Sequence, residues 1–432
     1  MEEKLYQNYL NILKSELIPA LGCTEPIAIA YAAAKARELL GDIPEHLEVF
    51  CSGNIIKNVK SVVVPNSGGE KGIDIAAVLG AIGGKAENGL EVLEGITDED
   101  RKRAKELVKA GYCTCRLQEN VENLYVRAIV EAGGHSAEAV IANQHTFVAK
   151  LVKDNRVIYE KEPGEDKEYK VDKSLMTVKG ILEFADIVRI EDIREILDKQ
   201  ISMNSALADE GLQKHYGAEV GAMLKEKGNS GIANLAKARA AAASDARMGG
   251  CSLPAVINSG SGNQGITVSV PVIEYAKAWD VGMDKLYRAL VVSNLLSIHQ
   301  KSYVGRLSAY CGAVSAACGA GAAIMYMHGG DYDAISKIIT NTVANAGGIV
   351  CDGAKASCAC KIAVSLEAAF MAYEMSLEGH VFQPGEGIVR EDVENTIKSI
   401  GYIGRVGMKQ TDVEILNIML NHTDVENILA DS

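Results

Sequence analysis

"NLYVRAIVEAGGHSAEAVIANQHTFVAKLVKDNRVIYEK" (residues 123–161) decides the fold. β-Branched residues alternate here with polar ones, the period of half-buried strands, so residues 112–160 read as strands. Upstream the types are mixed. A helix is predicted over 26–40 and a strand-like stretch over 45–65 ("EHLEVFCSGNIIKNVKSVVVP"). A Gly-rich turn at 66–74, a small helix in "IAAVLGAIGG" and a charged helix over 97–111 follow. The charged run "EKEPGEDKEYKVDKS" (160–174) reads as a surface loop or linker.

Downstream the period changes. From about residue 175 it is helical almost throughout, as in "SGIANLAKARAAAASDARM" and "EYAKAWDVGMDKLYRALVVSNLLSIHQ". Alanine and glycine crowd these helices and let them pack closely. The class is therefore α+β. A mixed α+β domain (1–170) precedes a nearly all-α, Ala/Gly-rich domain (171–432).

Composition narrows the function. The 432 residues are 48% hydrophobic but only 5% aromatic, with 42 glycines, so the core is built from small and aliphatic side chains. A net charge of −13 argues against nucleic acid or an anionic membrane as partner. The charged amphipathic N-terminus is not a signal peptide, and the most apolar stretch (313–327) is too short and too rich in Gly and Ser to span a bilayer. A soluble, cytoplasmic protein is expected.

Ten cysteines in such a chain do not suggest a disulfide framework. In "ALGCTEPI" (20–27), Thr24 reads as a helix N-cap and Cys23 as a residue just outside the helix. There the macrodipole would favour a thiolate. Local sequence leaves a packing thiol equally open. Cys311 lies on a Gly/Ala-rich segment, and 40 residues later "GGIVCDGAKASCAC" carries Cys351, Cys358 and Cys360. Neither zinc-ribbon nor ferredoxin spacing is present. Thiolates suit zinc, Cu(I) or an iron–sulfur cluster, and inert buried thiols remain open beside these. "NSGGEKGI" (66–73) and "NSGSGNQGI" (258–266) echo each other as loops that could cradle an anion.

"GCTEP", "NSGSGNQGI", "YCGAVSAACGAGAA" and "GGIVCDGAKASC", in this order over most of the chain, resemble the L-cysteine desulfidase family. That family is related to the iron–sulfur-dependent L-serine dehydratases through their alpha-chain domain. The resemblance implies a [4Fe-4S] cluster held by Cys311, Cys351 and Cys358, with one iron open. It also implies that Cys23 is the catalytic proton acceptor. The expected substrate is a small amino acid and the expected assembly a homo-oligomer, in the form of a dimer.

An open iron is a Lewis acid for a leaving sulfur or hydroxyl, and a base must take the α-proton. Cys23 as thiolate fills that role, with Glu25 as fallback. β-Elimination then gives aminoacrylate, which hydrolyses to pyruvate and ammonia. Asn66, Ser67, Asn258, Ser259, Asn263 and Gln264 are candidates to bind the substrate carboxylate, against an ordinary turn role for each. His299 reads as a helix-face histidine, and Cys318, Cys360, Cys251, Cys113 and Cys115 as packing thiols, with Cys360 the main rival to Cys358. Three rivals stand: an L-serine dehydratase with the same cluster, a pyridoxal-phosphate lyase using Lys301, and a non-enzymatic metal- or thiol-binding protein.

Overall fold

The computed structural model describes residues 1–161, 171–228, 230–305 and 307–423. The structure is α+β: the larger sheet lies in the N-terminal half and helices fill the rest. Two strands, β1 (Pro19–Leu21) and β8 (Pro254–Val256), pair antiparallel with Ala20 opposite Ala255. The other six are β2 (His46–Cys51), β3 (Cys113–Leu117), β4 (Tyr125–Ala132), β5 (His135–Ala142), β6 (Val148–Lys153) and β7 (Arg156–Glu160). They form one sheet in the order β3-β2-β4-β5-β6-β7, parallel only between β2 and β3. Strand alternation is real: Val126, Ala128 and Val130 of β4 are fully buried while the residues between them are partly exposed.

The buried face packs against helices Thr24–Leu40 and Ile73–Gly83. These two touch backbone to backbone. A Cβ on Gly80 would stand 2.2 Å from the Ala30 carbonyl oxygen, so only glycine permits the contact. In the helical half, helix Gly312–His328 lies as close to helix Met283–Val304: a Cβ on Gly319 would stand 2.5 Å from Ser293 O. The Ala/Gly-rich composition is thus spent on close helix packing. The first helix, Glu3–Glu16, joins this helical core through Tyr9, which stacks on Phe184 at 5.3 Å.

Three expectations are corrected. The run 45–65 is not one strand, because a short helix Gly53–Val59 follows β2 and buries Ile55, Ile56 and Val59. β-Branched residues favour strands, but the side chains at one-turn spacing find a core here, and packing overrides propensity. The stretch 274–300 divides into helices Gly262–Ala278 and Met283–Val304, separated by Asp280 at φ +49°. Thr24 is the first helical residue and Cys23 holds the N-cap position. Most of the predicted linker 160–174 lies outside the described residues. No helix among the described residues is long and apolar enough to cross a membrane.

Candidate active site

The β1–β8 pair builds the site. β1 leads through Gly22 into Cys23, and β8 leads into the loop Asn258–Ser261. Gly22 turns the chain at φ +56°, and a Cβ there would strike Pro65 at 2.2 Å. Thr24 Oγ1 ties the two strand exits together, 2.9 Å from Gly260 O and 3.1 Å from Glu25 Oε2. A second junction aligns the distant cysteines. Tyr310 and Val350 form an antiparallel bridge, and Cys351 N donates to Ala309 O at 2.6 Å while Cys311 N donates to Ile349 O at 3.0 Å. Cys358 opens helix Cys358–Leu377, and its Sγ lies 3.8 Å from Gly353 O.

These segments enclose a cavity of about 110 Å³. Cys23 and Glu25 line it from one helix, and Cys311, Cys351 and Cys358 line it from the others. Of the anion-binding candidates, Ser259, Asn263 and Gln264 line it too. Asn66, Ser67 and Asn258 are not among the lining residues. Asn66 Nδ2 donates to Leu93 O and Glu94 O, Ser67 Oγ to Glu70 O, and Asn258 Nδ2 to Asn294 O. Those three side chains hold turns and helix contacts, as Asn and Ser commonly do.

Three of the thiols stand at helix beginnings: Cys23 and Cys311 at N-caps and Cys358 at a first helical position. The macrodipole favours negative charge there. Burial works against it. Burial, then the neighbouring Glu25 carboxylate, pushes the Cys23 thiol well up, with Arg247 pulling the other way. The thiolate expected at Cys23 is therefore not its resting state: Sγ donates its proton to Glu25 Oε2 at 3.1 Å. Cys311 is pushed up to about 12 by burial and then by the adjacent Cys351. The same order of causes raises Cys358, although the Lys355 backbone pulls it down.

Buried thiols whose thiolate forms would be desolvated and would repel one another fit a cationic metal centre, which takes thiolates and relieves both penalties. Among the described residues no three His, Cys, Asp or Glu side chains stand close enough to share one metal ion. A [4Fe-4S] cube takes each thiolate on a separate iron and so sets its ligands further apart than a single ion does. Asp352, between Cys351 and Cys358, is tied to Lys355 at 2.5 Å and also to Lys361, which fixes the loop. Cys360 is exposed, and Cys318, packed against Gln300 and Thr342, is not among the lining residues. His299 Nε2 donates to Glu394 Oε2 at 2.8 Å and also lies outside the lining.

Sequence reasoning missed Arg247, Tyr310, His145 and Asn58, all of which line the cavity. His145 Nε2 is 4.0 Å from Glu25 Oε1. Arg247 Nε, Gln264 Oε1 and Tyr310 Oη are buried and make no hydrogen bond to the described protein. Three such atoms around one cavity are what a polar ligand would satisfy.

Comparison with known proteins gives the family. The serine dehydratase alpha chain model matches residues 87–417. A UPF0597 protein of Lachnoclostridium phytofermentans is 50% identical over 417 residues, 96% of this chain and 100% of that protein. UPF0597 proteins of Desulfitobacterium hafniense (49% over 423 residues; 97% and 98% of the two chains) and Finegoldia magna (46% over 420; 96% and 99%) are similar along their length as well. The chain belongs to the serine dehydratase alpha-chain family, a lyase family.

Proposed function

We propose that this chain is a carbon–sulfur lyase that eliminates sulfide from L-cysteine, giving pyruvate and ammonia. The observation that carries the reading is the convergence on one cavity of the Cys23–Glu25 pair and the thiols of Cys311, Cys351 and Cys358. A [4Fe-4S] cluster held by those three thiolates would supply an open iron as Lewis acid for the departing sulfur.

The protein's own groups do the proton chemistry. Glu25 Oε2 receives the proton of Cys23 Sγ along the existing hydrogen bond, and the thiolate so formed takes the substrate α-proton. As that C–H bond breaks, the α,β double bond forms and the β C–S bond breaks, releasing hydrosulfide and aminoacrylate. Water then hydrolyses aminoacrylate outside any need for a catalyst. Ser259, Asn263 and Gln264 offer polar contacts to the amino acid from the N-terminal end of helix Gly262–Ala278.

L-Serine dehydration by the same cavity is the second reading, favoured by the family match. Anaerobic turnover with the two amino acids decides between them: higher kcat/KM for cysteine supports the proposal and higher kcat/KM for serine supports the alternative. A visible band bleached by dithionite supports the cluster, whereas a sharp aldimine band would point to pyridoxal phosphate on Lys301.

A further inference from the structure

Arg247 lies in the last turn of the Ala-rich helix Ile232–Met248 and is 3% exposed. Its hydrogen bond is to a neutral acceptor, from Nη1 to Asn263 Oδ1 at 3.2 Å. Nε is buried and makes no hydrogen bond, and Arg247 forms no ion pair among the described residues. Asp245, two residues away, accepts from Gly221 N and is not among the cavity-lining residues. Lys361, a second cation of the cavity, is already paired with Asp352. Burying a guanidinium is costly unless an anion or a full set of acceptors receives it. The fold nevertheless makes room for it. Gly262 carries no Cβ where one would stand 2.2 Å from Arg247 Nε, and Asn263 holds the guanidinium in place from the next position. The group lines the cavity within reach of Cys23, whose thiol it draws downward.

We propose that Arg247 is the receptor for the α-carboxylate of the amino-acid substrate and restricts the cavity to amino acids in which that carboxylate is free. The inference rests on the reading of the cavity as an amino-acid lyase site. Arg247 provides two N–H donors to the carboxylate, with Asn263 steadying the fork and the N-terminus of helix Gly262–Ala278 adding its positive end. Binding there sets the α-carbon beside Cys23 and leaves the β-sulfur to turn toward the three cysteines. Amines without a carboxylate, and amides or esters of the amino acid, lose the main anchor.

The test is calorimetric binding of L-alanine, which has no leaving group, against L-alaninamide, which has no carboxylate. Wild-type protein, purified anaerobically, should favour L-alanine by about ten- to a hundredfold, the worth of charge-assisted hydrogen bonds. Arg247→Gln should abolish that preference by weakening the binding of alanine. Gly262→Ala, which keeps the charge but crowds Nε, should lower the preference as well and covers the case in which Arg247→Gln does not fold. An Arg247→Gln protein that still prefers alanine over its amide by the wild-type factor overturns the inference, even if cysteine is turned over. Carboxylate preference in a wild-type protein that neither releases sulfide from cysteine nor dehydrates serine upholds the inference and overturns the lyase reading.

Discussion

Replacing Cys23 with alanine separates chemistry from structure. Cys23 is 2% exposed and packs with Val62 and Met248, so the truncation removes one buried sulfur. Apolar burial of a group that size is worth about 0.8 kcal/mol, and a residual cavity brings the cost to about 1–2 kcal/mol. Glu25 loses one donor but keeps Thr24 Oγ1 at 3.1 Å. For a chain of this length that corresponds to a fall in Tm of a few degrees at most. Loss of a general base costs ~10²–10⁴ in rate, or about 3–5 kcal/mol of barrier. The assay runs iron and sulfide content, thermal unfolding and anaerobic pyruvate formation on one preparation. Iron retained, Tm nearly retained and turnover lost by at least a hundredfold is the expected result. Turnover within a few-fold of wild type would refute the base role, and loss of iron would make Cys23 a ligand instead.

Three further perturbations act on other elements. Cys351→Ala should lose iron and turnover together; an iron content equal to wild type removes Cys351 as a ligand. Asp412→Asn should destabilise the fold by about 3 kcal/mol, because it leaves the buried ammonium of Lys57, which also points at Cys351 O at 3.4 Å, without a counter-charge; an unchanged Tm contradicts this. Burial pushes the Asp245 carboxyl up to about 6, against the Gly221 and Val220 N–H groups. The folded state therefore binds a proton the unfolded chain has released, and this group's contribution to stability falls as pH rises from roughly 4 toward 6. Asp245→Asn should flatten the dependence of Tm on pH in that window, and an unaltered slope would show that another group titrates.

The parts legible in sequence are those where one signal dominates. Strand alternation over 123–161 needed no tertiary information, and Ala/Gly-rich helices such as Ile232–Met248 announced close packing. The cysteines of "GCTEP" and "GGIVCDGAKASC" drew notice through their motifs, although nothing local says that Tyr310 bridges Val350 and so aligns Cys311 with Cys351. Gly53–Val59 was misread because Ile and Val favour strands until packing chooses otherwise. Asn66 and Ser67 share composition with the loop at 258–261, but their side chains close on neighbouring carbonyls. Arg247 was invisible because "SDARM" does not distinguish a buried arginine from an exposed one. The resting protonation of Cys23 depends on burial and on Glu25, neither of which the helix position conveys.

The central claim is that cysteine thiolates around this cavity hold an iron–sulfur centre that takes part in sulfide elimination. Anaerobically reconstituted protein should contain iron and acid-labile sulfide in the proportion of a [4Fe-4S] cluster and release sulfide and pyruvate from L-cysteine in equal amounts. Chelating the iron should abolish both products and reconstitution should restore them. Unchanged sulfide release from iron-free protein would contradict the claim.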